Sequence, residues 1–211
     1  MHHFYRFIES IGYEPAASLP SQKHPQLSYQ YHHDTYLLEE KAKLRLQQYL
    51  MTGILFREDF GGPQDADVAI AFSFGDSLEV NRHLAQIVRE VNYFFPDIEL
   101  YLQNEIAAVV QARGSHCIQN NQYQTTYDVA HFVAEREHRK NILIIAQAWH
   151  AQRCIETCEQ LGFVVRSLRV VNAFPINDPQ PWVRNPINWV IKESHRAVAS
   201  GYEISKRYQL D

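Results

Sequence analysis

The sequence predicts an α/β fold: a three-layer, Rossmann-like domain with a mostly parallel five-stranded sheet, helices on both faces, and an N-terminal helical arm. Three observations carry that expectation. Strand-like runs recur at 68–72, 98–102, 116–119, 142–146 and 164–170. Segments with apolar residues at helical spacing alternate with them. The links are short, and regular strand–helix alternation places successive strands parallel and side by side. Val68 to Phe72 and Ile142 to Ala146 are apolar at every position, which marks strands covered on both faces.

Residues 1–33 have weak periodicity, and Pro15, Pro20 and Pro25 interrupt a polar stretch. Phe4, Tyr5, Phe7 and Ile8 give this segment something to bury, so an ordered arm is expected, with a disordered tail as the alternative. The pairs His2, His3 and His32, His33 lack ligand spacing, and no metal site is expected there. Asp34 is placed to cap a helix from Thr35 to Met51, with Leu38, Ala42, Leu46 and Tyr49 as its stripe and Gly53 as its stop. The Phe-Gly-Gly-Pro at 60–63 lacks the Lys-Ser/Thr of a phosphate loop and reads as a turn. These features assign 1–60 to the arm and first helix, packed on an α/β domain at 61–211.

Within that domain, Asp76 and Glu79 suggest a capping box for a helix to Phe94, with Val80, Leu84, Ile87, Val88 and Val91 inward and Pro96 as the stop. Glu105 to Ala112 reads as a short helix. Thr125 and Asp128 form a second capping box, for a helix to His138. Trp149 to Leu161 follows the fourth strand as a helix. Asn185-Pro186 opens a last helix towards Tyr202, with Asn as cap and Pro at the first helical position.

The 211 residues suffice for one sizeable domain. A net charge of −4 with His neutral argues against a general nucleic-acid binder. Three cysteines make no disulfide framework and fit a reducing compartment. No apolar run approaches a membrane span and no secretory h-region is visible, so a soluble, cytoplasmic protein is expected.

Ligands of open parallel sheets bind outside the carboxyl ends of the strands. The loops expected there carry Gly75 with Arg82, then Asn104 with Glu105, then Thr126 with Asp128, and last His150 with Arg153. His150 and Arg153 are three residues apart, hence on one helix face, at a helix start whose dipole favours an anion. No GxGxxG and no G-x-S-x-G occurs, against a dinucleotide fingerprint and a serine-hydrolase elbow. Cys154 and Cys158, a turn apart beyond His150, read as small buried apolar residues rather than a metal or redox pair.

Four motifs in order resemble the YdcF-like (SanA/ElyC-type) family of bacterial proteins, a domain of unknown function. They are AIAFSFGDSLEVNRHLAQ with Gly75 and Arg82, NEIAAVVQARG with Glu105 and Gly114, TTYDVA with Thr126, Tyr127 and Asp128, and ILIIAQAWHAQRCIETCEQLG with His150, Arg153 and Gly162. The resemblance runs from about Asp67 to the last helix. It implies a Rossmann-like fold and a nucleotide-like ligand such as S-adenosylmethionine, with no settled reaction. The chain departs from the family pattern at Leu102-Gln103-Asn104, where the family has Ser-Gly-Gly, at Asn120 or nearby, where it has an acid, and at Val129, where it has Asn. It thus resembles a divergent member.

Two readings follow. In the first the protein is a ligand binder or enzyme for a small phosphorylated or nucleotide-like anion. Arg153 and Arg82 hold the anion, His150 is a general acid/base, and Glu105 or Asp128 orients it or binds a hydroxyl, with Gly75, Asn104 and Thr126 at the same mouth. In the second the fold is a non-catalytic regulatory module that takes a protein partner through residues 1–60.

Overall fold

The five strand-like runs form one sheet, and all of its strand pairs are parallel. The computed structural model describes residues 2–13, 36–110, 112, 114–118 and 123–210. Along the chain lie α1 (His2–Ser10), α2 (Glu40–Thr52), β1 (Val68–Ala71), α3 (Leu78–Phe94), β2 (Glu99–Gln103), α4 (Asn104–Ala107) and β3 (His116–Ile118). Then come α5 (Thr126–Ala134), β4 (Asn141–Gln147), α6 (Ala151–Gln160), β5 (Val164–Val171), α7 (Pro186–His195) and α8 (Gly201–Tyr208). Two compact units result, Arg57–Asn172 and the combination of Met1–Phe56 with Ala173–Asp211.

The first unit is the three-layer α/β domain. Strand order is β3-β2-β1-β4-β5. The alternate residues Val68, Ile70, Phe72, Ile142, Ile144 and Ala146 join Val129, Ala130 and Val133 of α5 and Ala151, Cys154, Ile155 and Cys158 of α6 in one core. Ala69, Ala71, Leu143 and Ile145 have the opposite parity and are equally buried. Their face takes α3, which contacts β4 and β5 and buries Val80, Leu84, Ala85, Val88 and Val91. That is why β1 and residues Ile142 to Ala146 of β4 are apolar throughout.

The second unit gathers α1, α2, α7 and α8. Helix α7 contacts α1, α2 and α8. It buries Ile187, Asn188, Trp189, Val190 and Ile191, five consecutive positions that cover the whole circumference. A helix buried all round requires partners on every side, which one sheet face does not supply. The division read from the sequence, with 61–211 as one domain, therefore differs from the compact units: residues 173–211 belong with the N-terminal helices.

Several boundaries also differ. Residues 36–39 are not helical, so α2 begins at Glu40, while Asp34 lies outside the described residues. So do Asn120 and the His32, His33 pair. Ser77, not Asp76, holds the N-cap position of α3. Helix α4 stops at Ala107 as β-branched Val109 and Val110 approach. The C-terminal helix is two helices, because Ser200 and Glu203 form a capping box that starts α8.

Candidate functional site

The chain builds β1, β2 and β3 outward in one direction, then returns to lay β4 on the other side of β1. The crevice outside the carboxyl ends of β1 and β4 is thus the point where strand order reverses, the usual place for a ligand in such sheets. Helix α6 begins there at His150, and α5 brings in its first residue, Thr126.

Three side chains meet at this corner. Arg153 donates from Nε to Thr126 Oγ1 at 3.0 Å and from Nη2 to His150 Nε2 at 2.8 Å. Thr126 Oγ1 and His150 Nε2 are 2.9 Å apart. His150 is only 5% exposed, its ring lying 6.2 Å from the Phe72 ring and 6.0 Å from that of Phe74. Arg153 and Thr126 are half-buried. A guanidinium and a hydroxyl at the edge of an aromatic-walled imidazole suit a small anion and a proton transfer beside it.

The loops around this corner are held by three buried amides that sequence reasoning passed over. Gln147 Oε1 accepts from Trp149 N at 2.6 Å and His150 N at 3.1 Å. Gln103 Oε1 accepts from Ser73 N at 2.9 Å. Asn81 Oδ1 accepts from Phe74 N, and its Nδ2 donates to the carbonyls of Gly75 and Ser77. The backbone N–H groups of Ser73, Phe74, Trp149 and His150 are thus taken up inside the protein. The signal was present: Gln103 and Gln147 each follow an apolar run and close its strand, at the edge where loops must be anchored.

The other candidates sit on the same edge but outside the bonded group. Gly75 has φ 75°, a conformation that favours glycine, and serves the turn after β1. Arg82 is exposed near the start of α3. Asn104 is exposed, and its Oδ1 accepts from Cys117 Sγ at 3.8 Å. Glu105 is half-buried, with Oε2 enclosed and without a hydrogen-bond partner among the described residues. Asp128 is committed to its helix: Oδ2 accepts from Thr125 N at 2.8 Å and Thr125 Oγ1 at 2.7 Å, completing the expected capping box. Among the described contacts, then, only Thr126, His150 and Arg153 are joined.

No family model, curated protein or solved structure matches the chain.

Cys154 and Cys158 are fully buried in the core beneath this corner. Burial, reinforced by the Glu159 charge, pushes the Cys158 thiol up to about 12, so it stays protonated and unreactive. Among the described residues no group of three or more His, Cys, Asp or Glu is placed to hold a metal ion. Among the same residues no helix is long and apolar enough to cross a membrane.

Proposed function

We infer that the corner formed by Thr126, His150 and Arg153 binds a small anionic ligand of the phosphorylated or nucleotide-like kind, S-adenosylmethionine being one nucleotide-like candidate. The observation that carries this reading is the Arg153 guanidinium, held by its Nε and Nη2 beside a buried imidazole at the reversal of strand order. Arg153 supplies the charge and His150 a group able to move a proton. Arg82, Asn104 and Glu105, on the same edge, are candidates for the far end of the ligand. Membership of the YdcF-like family is proposed on the four motifs that resemble it, and a cytoplasmic setting is in keeping with three free cysteines.

A thermal-shift screen against nucleotides, S-adenosylmethionine and sugar phosphates tests the reading. A ligand present at 100 times its dissociation constant adds about 2.7 kcal/mol to stability. Arg153→Ala is expected to abolish the shift. If the ligand is turned over, His150→Ala is expected to stop turnover while retaining measurable binding. An undiminished shift in Arg153→Ala overturns the assignment.

One observation favours the second reading, a non-catalytic module that captures a protein partner. Where the resembled family has glycines, Gln103 fills the turn and engages Ser73 N, closing the nearest backbone approach. On that reading no ligand in the screen binds, and a partner is retained only by chains with residues 1–60 intact.

A further inference from the structure

Arginine donates hydrogen bonds and accepts none. Its Nε–H and one Nη2–H run parallel along one edge of the guanidinium, the fork that engages both oxygens of a carboxylate or phosphoryl group. Here that fork is filled from within, by Thr126 Oγ1 and His150 Nε2, two acceptors only 2.9 Å apart. They stand where the two oxygens of an oxyanion would stand. An Arg N–H directed at Nε2 requires a lone pair there, so the imidazole is neutral and carries its proton on Nδ1. The lone pair that a general base would use is therefore engaged by Arg153 and shared with the Thr126 hydroxyl, which donates to it at 2.9 Å.

The geometry points to an exchange. An anion presenting two oxygens takes the Nε/Nη2 fork from Thr126 and His150 and accepts from the Thr126 hydroxyl, and this releases His150 Nε2 to face the bound ligand. The site then favours carboxylate or phosphoryl groups, since two oxygens give two straight hydrogen bonds to the fork, whereas a single-atom anion must share its two arms through bent ones and displaces Thr126 and His150 less well. Proton transfer is confined to the liganded state, because the base is uncovered only by the group it serves. The exchange rests on the anion-site reading above. The walls of Phe72 and Phe74 hold the ring in place while Arg153, half-buried on a long side chain, does the moving.

Long-range ¹H–¹⁵N spectra of the histidine rings in the full chain test this, with His150→Gln assigning the signal. Inorganic phosphate, acetate and chloride are titrated at matched ionic strength. Phosphate or acetate is expected to move the His150 Nε2 resonance saturably, and chloride to move it less; whichever of the two oxyanions acts at lower concentration is the one preferred. Arg153→Lys keeps the charge but lacks the fork, and is expected to weaken binding about tenfold or more and abolish the movement. Phosphate binding that Arg153→Lys abolishes, with the wild-type Nε2 resonance unmoved, overturns the exchange and leaves the anion site standing. No saturable binding of phosphate or acetate removes both. The wild-type titration decides the exchange alone, so a variant that fails to fold does not remove the test.

Discussion

At the scale of single residues the site is a matter of where polar side chains are held. His150 and Arg153 were legible as a pair because three residues on a helix share a face. Thr126 lies 24 residues earlier, and only the crossover that returns β3 to β4 brings it to His150. No local pattern encodes that meeting. Gln147 is the residue whose loss should be felt most. Its Oε1 is the acceptor for Trp149 N, buried at the start of the turn into α6. Replacing it with Leu leaves that N–H buried without this partner, at about 2 kcal/mol, and lets His150 shift. Urea unfolding is expected to show the loss in Gln147→Leu. Equal stability of wild type and Gln147→Leu contradicts the role given to the amide.

At the scale of elements, capping chemistry was the most readable signal. Thr125 with Asp128 at α5 and Asn185 at α7 cap as their spacing indicated. Ser200 with Glu203 carries the same signature, and overlooking it merged α7 and α8. The Phe-Gly-Gly-Pro stretch was legible as a turn but not as what it does. Phe60 exchanges backbone hydrogen bonds with Leu168, and Asp59 accepts from Val170 N, so this segment covers part of the exposed edge of β5. The contact is close: a β-carbon on Gly61, at φ 63°, would lie 2.1 Å from the Arg166 carbonyl oxygen. Gly162 ends α6 at φ 84° with nothing within 4 Å of such a carbon. Gly162→Ala therefore meets only the backbone preference, about 1 kcal/mol. Gly61→Ala must also displace the segment from β5, and is expected to lose about 2–3 kcal/mol and to raise hydrogen exchange at Leu168 and Val170. Equal losses from the two substitutions contradict the edge-covering role.

At the scale of the whole molecule, the fold class was legible because unbroken apolar runs and short links leave few arrangements other than a covered parallel sheet. The partition was not. Helix α7 has the composition of a core helix, and composition does not say which core. Glu137, which is 6% exposed and receives Arg139 Nη2 at 2.6 Å and Nε at 3.0 Å, contributes to the acid limb of stability. That hydrogen-bonded guanidinium, working against the burial that opposes it, lowers the carboxyl to about 2. Because the folded value lies below the unfolded one, the stabilisation is complete above about pH 4.5 and is lost as pH falls towards 2. With Arg139 half in water, it is worth on the order of 2 kcal/mol. Glu137→Gln is expected to be less stable near neutrality and to have a flatter stability profile between those pH values. Parallel profiles contradict this assignment.

The claim on which the rest depends is that the Thr126–His150–Arg153 corner receives an oxyanion. A crystal structure of the protein with the tightest ligand from the screen tests it most directly. A phosphoryl or carboxylate group is expected within hydrogen-bond distance of Arg153 Nε and Nη2, with the guanidinium drawn off His150 Nε2 and that nitrogen facing the ligand. A ligand bound elsewhere, with Arg153 still joined to Thr126 and His150, contradicts it.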